Sequence, residues 1–272
     1  MLKSTDMRLI KVILIALLTY LLAIGLAHAQ EQIAIPLSRP GEAGQLEVQM
    51  VRGSISVQSY DGQEVVVRII GGQKKATKED TKNGMRRISG PSFGLDATEQ
   101  DNEVRIDAGP PNQMSNLEIL VPSNFSVNAG TVNDGHISIS GLSGEMEVSN
   151  VNGGIRLEGI RGSAVASTVN GDVRVEFLEV TPDTPMAFSS LNGDIDVSFP
   201  SNTKMTAQMK TLNGEIYTDF DINVNASGSV DKRKENGVYK VTVDKSIMGD
   251  INGGGPKVIF KNHNGNIYIR RR

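Results

Sequence analysis

The sequence predicts an all-β chain: a single elongated β-solenoid of roughly 18–22-residue coils, following a cleaved signal peptide. Three observations predict it. Gly135, Gly144, Gly153, Gly162 and Gly171 fall nine residues apart. Apolar residues hold fixed places after each glycine. Beyond residue 29, helical periodicity is almost missing.

The apolar places fix the strands. Ile137, Met146, Ile155, Ala164 and Val173 stand second after glycine, and Ile139, Val148, Leu157, Ala166 and Val175 stand fourth. Alternation of this kind turns both columns to one face of a strand. A third column, Leu142, Val151, Ile160, Val169 and Leu178, follows at the seventh place. Alternate units differ in their turns: Val-Asn-Gly at 151–153 and 169–171, but Leu-Ser-Gly at 142–144 and Ile-Arg-Gly at 160–162. The coil is therefore eighteen residues, two strands and two turns.

Later coils stretch but keep the phrase, as LNGDIDV from Leu191, LNGEIYT from Leu212 and HNGNIYI from His263. The Asn-Gly pairs, Asn152-Gly153, Asn170-Gly171, Asn192-Gly193, Asn213-Gly214 and Asn264-Gly265, are the expected structural turn ladder. Each Asn-Gly is expected to supply the positive-φ pair of a tight turn, and the asparagines to stack as amides. Stacked in chain order, the coils place Ile137, Ile155, Val173, Ile195 and Ile216 inward, with Ser138, Arg156, Arg174, Asp196 and Tyr217 outward. Nine or ten coils would span roughly 45 Å, and the last, ending in Arg270, Arg271 and Arg272, would blunt a terminal edge with charge.

Residues 1–29 have the layout of a secretory signal peptide. Lys3, Arg8 and Lys11 precede an apolar run from Val12 to Ala27, and Ala27-His28-Ala29 supplies the small-x-small cleavage site. The run is shorter than the roughly twenty residues a membrane-spanning helix needs. Contact with a membrane is then expected only through this segment before cleavage, and the chain is expected in the periplasm or at the cell surface. Residues 30–45 read as an N-terminal linker and 46–272 as the solenoid. Residues 71–102, rich in Lys, Glu, Thr and Gly, interrupt it as an insertion.

Composition excludes several functions. There is no cysteine, so neither a disulfide staple nor a thiol nucleophile. Removing Lys3, Arg8, Lys11 and Asp6 with the signal leaves 25 basic against 30 acidic residues, which argues against nucleic acid as a partner. Only His136 and His263 remain, too few for a conventional metal cluster, and no cofactor is expected. A nine-residue glycine period also occurs in calcium-binding β-rolls. Here Asp134, Asp172, Asp194 and Glu215 lack the paired glycines of that motif and read as solvated turn carboxylates. A β-helix enzyme acting on polysaccharide would use the outward Glu158, Glu176, Asp196 and Arg174, beside Arg156, Tyr217 and Asp219.

The Val/Leu-Asn-Gly turns followed by Asp-[Ile/Val]-x-Val, with GGGPKVIF at 253–260 and the closing HNGNIYIRR, resemble the bacterial putative-adhesin family. The resemblance runs from Leu46 to Arg272 and implies a toast-rack type of β-solenoid, shared with head domains of envelope proteins. It brings no catalytic residues. What it implies is a non-enzymatic exported envelope protein that presents a repetitive sheet surface to a protein or glycan. Two alternatives stand beside it: a periplasmic regulator or sensor of envelope state, and the polysaccharide-acting enzyme.

Overall fold

A computed structural model describes residues 32–70, 81–82, 85–86, 94–108, 114–235 and 238–272. The expected signal segment, with Ala27 and Ala29, and much of the 71–102 insertion lie outside the described residues. The chain divides into two compact units, Met1–Gln32 and Ile33–Arg272. The second is all-β.

Its strands, in chain order, begin with β1 (Gln32–Pro36), β2 (Gly44–Arg52), β3 (Ile55–Tyr60) and β4 (Glu64–Ile70). Within the expected insertion come β5 (Thr81–Lys82), β6 (Met85–Arg86) and β7 (Leu95–Gln100), then β8 (Glu103–Ala108) and β9 (Asn116–Pro122). The regular array follows: β10 (Phe125–Asn133), β11 (Ile137–Ser140), β12 (Ser143–Asn152), β13 (Ile155–Asn170), β14 (Val173–Val180), β15 (Met186–Asn192) and β16 (Ile195–Phe199). Last are β17 (Met205–Lys210), β18 (Ile216–Thr218), β19 (Ile222–Glu235), β20 (Val238–Ile251), β21 (Lys257–Asn264) and β22 (Ile267–Arg271). Two of these elements correct the sequence reading. The expected linker 30–45 contains β1, which pairs with β4, and regular structure returns inside the expected insertion at β7, antiparallel to β8.

Two parallel sheets stack side by side, joined rung by rung through the Asn-Gly turns. The first runs β9, β3, β11, β13, β14, β16, β22, β18. The second runs β8, β2, β10, β12, β13, β15, β21, β17. Eight coils result, fewer than the nine or ten expected, spanning about 34 Å at the usual strand spacing. Strand β13 serves both sheets, turning the corner where Gly159 takes φ 61° and the register against β14 shifts. The nine-residue glycine repeat splits accordingly. Gly135, Gly153 and Gly171 stack at one corner, while Gly144 and Gly162 stack at the other.

Stacking order departs from chain order at both ends. The β2–β3 coil lies between the β8–β9 and β10–β11 coils. The last coil, β21–β22, lies between β15–β16 and β17–β18. Ile267 therefore separates Ile195 from Ile216, which the sequence reading made neighbours. Strand β22 is an interior rung and not a blunted edge. Its arginines are used laterally: Arg270 bonds Asp196 at 2.7 Å, and Arg272, just past the strand, pairs with Glu176 at 3.0 Å.

Between the sheets lies one apolar core. The column Leu117, Ile55, Ile137, Ile155, Val173, Ile195 and Ile267 is nowhere more than 2% exposed. Near its C-terminal end four rings interlock. Phe177 stacks on Phe199 at 5.2 Å and Phe188 on Phe260 at 5.5 Å, with edge-on contacts between the two pairs. Phe188 is fully buried and touches the other three. Replacing it with alanine is expected to cost about 3–5 kcal/mol and to lower the melting temperature by about 10 °C. Leucine should cost far less, and thermal melting followed by circular dichroism measures both.

Candidate binding surface

The turn edge carries three hydrogen-bond ladders. In the outermost, each asparagine side-chain amide donates to the carbonyl of the one on the preceding rung. Asn152 donates to Asn133 (2.9 Å), Asn170 to Asn152 (2.8 Å), Asn192 to Asn170 (2.8 Å), Asn264 to Asn192 (2.7 Å) and Asn213 to Asn264 (2.8 Å). All five bonds point the same way along the stack. The asparagines themselves do not take positive φ, which corrects the expected turn geometry. Their glycines are required for space: a Cβ on Gly153, Gly171, Gly193, Gly265 or Gly214 would lie 1.8–2.4 Å from the carbonyl oxygen of the glycine one rung away.

A second ladder lies just inside. Thr131, Asn150, Thr168, Ser190, Asn262 and Thr211 each donate to a glycine carbonyl on the preceding rung: those of Gly53, Gly135, Gly153, Gly171, Gly193 and Gly265. Sequence reasoning missed it. The signal is a small polar residue two places before each turn asparagine.

The third ladder occupies the place after each turn glycine, or after Ser115 on the first coil. Its side chains accept the backbone N–H of the corresponding residue one rung on: Asn116 from Ser54, Ser54 from His136, His136 Nδ1 from Gly154, Asp172 from Asp194, Asp194 from Asn266, and Asn266 from Glu215. His136 is thus a rung of the ladder. Asp134 does not belong with Asp172, Asp194 and Glu215; it is an additional turn residue at φ 58° that pairs with Arg52.

Ladder polarity makes a test. Asn170→Ala removes two amide bonds whose partners stay wet, about 1 kcal/mol. Asn170→Asp instead sets a carboxylate oxygen against the carbonyl oxygen of Asn152, and should cost about 2 kcal/mol. Chemical denaturation should rank Asp below Ala; the reverse order would mean that this rung does not need an amide donor.

On the outer face of the first sheet stands a straight column: Glu118, Ser56, Ser138, Arg156, Arg174, Asp196, Tyr268 and Tyr217. Its charges are locally matched. Arg156 pairs with Glu158, Arg174 with Asp172 and Arg270 with Asp196. The hydrogen bond from Arg156 holds the Glu158 carboxyl below its ordinary range, and the one Arg270 donates to Asp196 pushes its guanidinium up. At one end Tyr217 and Tyr268 stack at 5.2 Å, with Arg270 over the Tyr268 ring at 5.1 Å. The matching face of the second sheet is mostly uncharged in its middle rungs, with Val151, Val165, Val169 and Leu191 exposed beside Ser149, Ser167 and Ser189.

Residues 33–252 match the Toastrack DUF4097 family. The chain belongs to that family. In this Toastrack protein the match stops at Asn252, in the turn between β20 and β21, so the β21–β22 coil lies beyond it. No curated protein matches the chain. Two solved structures are similar to it. One is a putative cell adhesion protein from Clostridium sporogenes ATCC 15579, at 8% identity over 89% of this chain and 99% of that one, with a TM-score of 0.46. The other is a putative adhesin from Bacteroides fragilis NCTC 9343, at 9% identity over 90% and 98%, with a TM-score of 0.34.

Proposed function

We propose that this Toastrack protein is a non-enzymatic, exported envelope protein that presents its repetitive sheet surface to a protein or a glycan. The observation that carries the reading is the outward column of the first sheet, with its ion-paired charges and its Tyr217–Tyr268–Arg270 platform. A stacked aromatic pair flanked by a guanidinium suits the flat face of a sugar ring or a planar side chain. The rungs are ordered by backbone ladders before any ligand arrives, so binding carries little ordering cost. The layout of residues 1–29 supports export.

The carboxylates that an enzyme would need are committed elsewhere. Glu158, Glu176 and Asp196 each pair with an arginine, and Glu158 is shifted toward the ionised form, the wrong direction for a general acid. Crosslinking and pull-down of the chain from intact envelopes, with protease accessibility followed in the same preparation, tests the proposal. A surface protein or glycan captured by the wild type and lost on Tyr268→Ala supports it. Capture of a periplasmic signalling protein alone would favour the regulator, and depolymerisation of an envelope glycan would favour the enzyme.

A further inference from the structure

The eighth coil leaves one parallel strand uncovered on its far side. Strand β18 is laddered to β22. Asn213 donates its N–H to His263 and accepts from Gly265, and the carbonyl of Glu215 accepts from Ile267. Backbone groups alternate along a parallel strand, so Gly214, Ile216 and Thr218 turn their N–H and C=O away from β22. Among the described residues no strand is laddered to that side. Elsewhere the terminal rungs are covered: β20 runs antiparallel on β17, β7 on β8 and β4 on β9. Exposure agrees. Ile216 is only half-buried where Ile195 and Ile267 are fully buried, and Tyr217 is 50% exposed.

What faces outward there is set by ladder direction. Every side-chain bond of the amide ladder and of the Thr/Ser/Asn ladder is donated toward the first coil, so the eighth presents acceptors. Among the described residues, no amide stands above the Oδ1 of Asn213, and no hydroxyl or amide above the carbonyl of Gly214. The carboxylate of Glu215 occupies the place from which Asp194 and Asn266 accept a backbone N–H of the next rung. The aromatic column ends on the open face of Tyr217. Charge points the same way: Glu215, Asp219 and Asp221 gather at this end, where Arg271 is engaged by Asp219.

We propose that the open edge of β18 receives a strand from a partner polypeptide: an extended basic segment containing Asn-Gly followed by apolar-aromatic alternation, laid parallel as a ninth rung. Main-chain hydrogen bonds would give affinity, and the ladder-end acceptors specificity. A second copy meeting edge to edge does not fit: two β18 edges related by a two-fold axis run antiparallel, which loses the asparagine and glycine register and brings the Glu215, Asp219 and Asp221 carboxylates of both copies together. The inference goes beyond the proposed outward face of the first sheet, because it concerns the edge of that sheet and main-chain pairing.

The chain already contains a segment of this chemistry. Residues 261–270, KNHNGNIYIR, form part of the seventh coil and meet acceptors of the same polarity from Asn192, Gly193 and Asp194 of the sixth. A synthetic peptide of that sequence, fluorescently labelled, is therefore the probe for the full-length protein, with anisotropy as the readout. Saturable binding below about 1 mM is expected, weakened about tenfold or more by Glu215→Lys or Tyr217→Ala. Both residues are exposed, and an unchanged melting temperature shows that the variants remain folded. A peptide with alanine at its Gly265 position and aspartate at its Asn264 position should not bind. Binding unaffected by these changes, no binding at 1 mM, or edge-dependent dimerisation of the protein in sedimentation would each overturn the proposal.

Discussion

A chain ended after Gly253 is expected to lose the fold of its C-terminal coils, not to become a shorter rod. If coils stacked in chain order, removing β21 and β22 would delete only a terminal rung. In the structure they are the seventh rung, and their loss leaves β15 and β17, and β16 and β18, facing a vacant layer. Val258, Phe260, Ile267 and Ile269 are each 0% exposed, and burial of such side chains contributes about 1.5–3 kcal/mol apiece. The total is comparable with the whole stability of an ordinary domain. Hydrogen exchange read by mass spectrometry should show protection lost across β15–β18 and retained in β10–β12. Protection retained across all of these would mean that β17–β18 can dock directly on β15–β16, and the observed order would not be essential.

That stacking order marks where the sequence stops being legible. The fold class, the eighteen-residue coil and the inward columns follow from period alone, because a strand with one buried face must alternate. Which coil lies on which does not follow. HNGNIYI and LNGEIYT carry the same apolar, asparagine and tyrosine places, so either satisfies the rung above LNGDIDV equally well by pattern. The layer is skipped where residues 200–204 lead from β16 in the sixth coil to β17 in the eighth; β19–β20, a long antiparallel hairpin, then caps β17 before β21 returns to fill the seventh layer. The candidate surface was legible in part for the same reason. Arg156, Arg174, Asp196 and Tyr217 could be placed on one outward column, but the Tyr217–Tyr268 stack exists only because the seventh coil is interposed. Asp134, grouped with Asp172, Asp194 and Glu215 by the sequence pattern, is an extra turn residue, and the place equivalent to Asp172 and Asp194 belongs to His136.

Gly153→Ala is expected to be among the most damaging single-methyl additions in the array. The added Cβ would lie 1.8 Å from the carbonyl oxygen of Gly135 and 2.8 Å from Nδ2 of Asn150. Both neighbours are fixed, since Asn150 donates to that same carbonyl at 3.0 Å and Gly135 is itself packed against Gly53. The rungs must part, which strains the packing by about 1–3 kcal/mol and sacrifices hydrogen bonds worth about 1 kcal/mol each. A loss of about 3–5 kcal/mol, or about 10 °C in melting temperature, is the expected result. Gly41→Ala separates this cause from backbone conformation: Gly41 has φ +87° but nothing within 4 Å of an added Cβ, and left-handed backbone costs an L-residue about 1–2 kcal/mol. If the two substitutions proved equally mild, the close approach of the rungs would not be what requires glycine. A large loss at Gly153 against a small one at Gly41 would show that the repeat is written in glycine because the coils touch there.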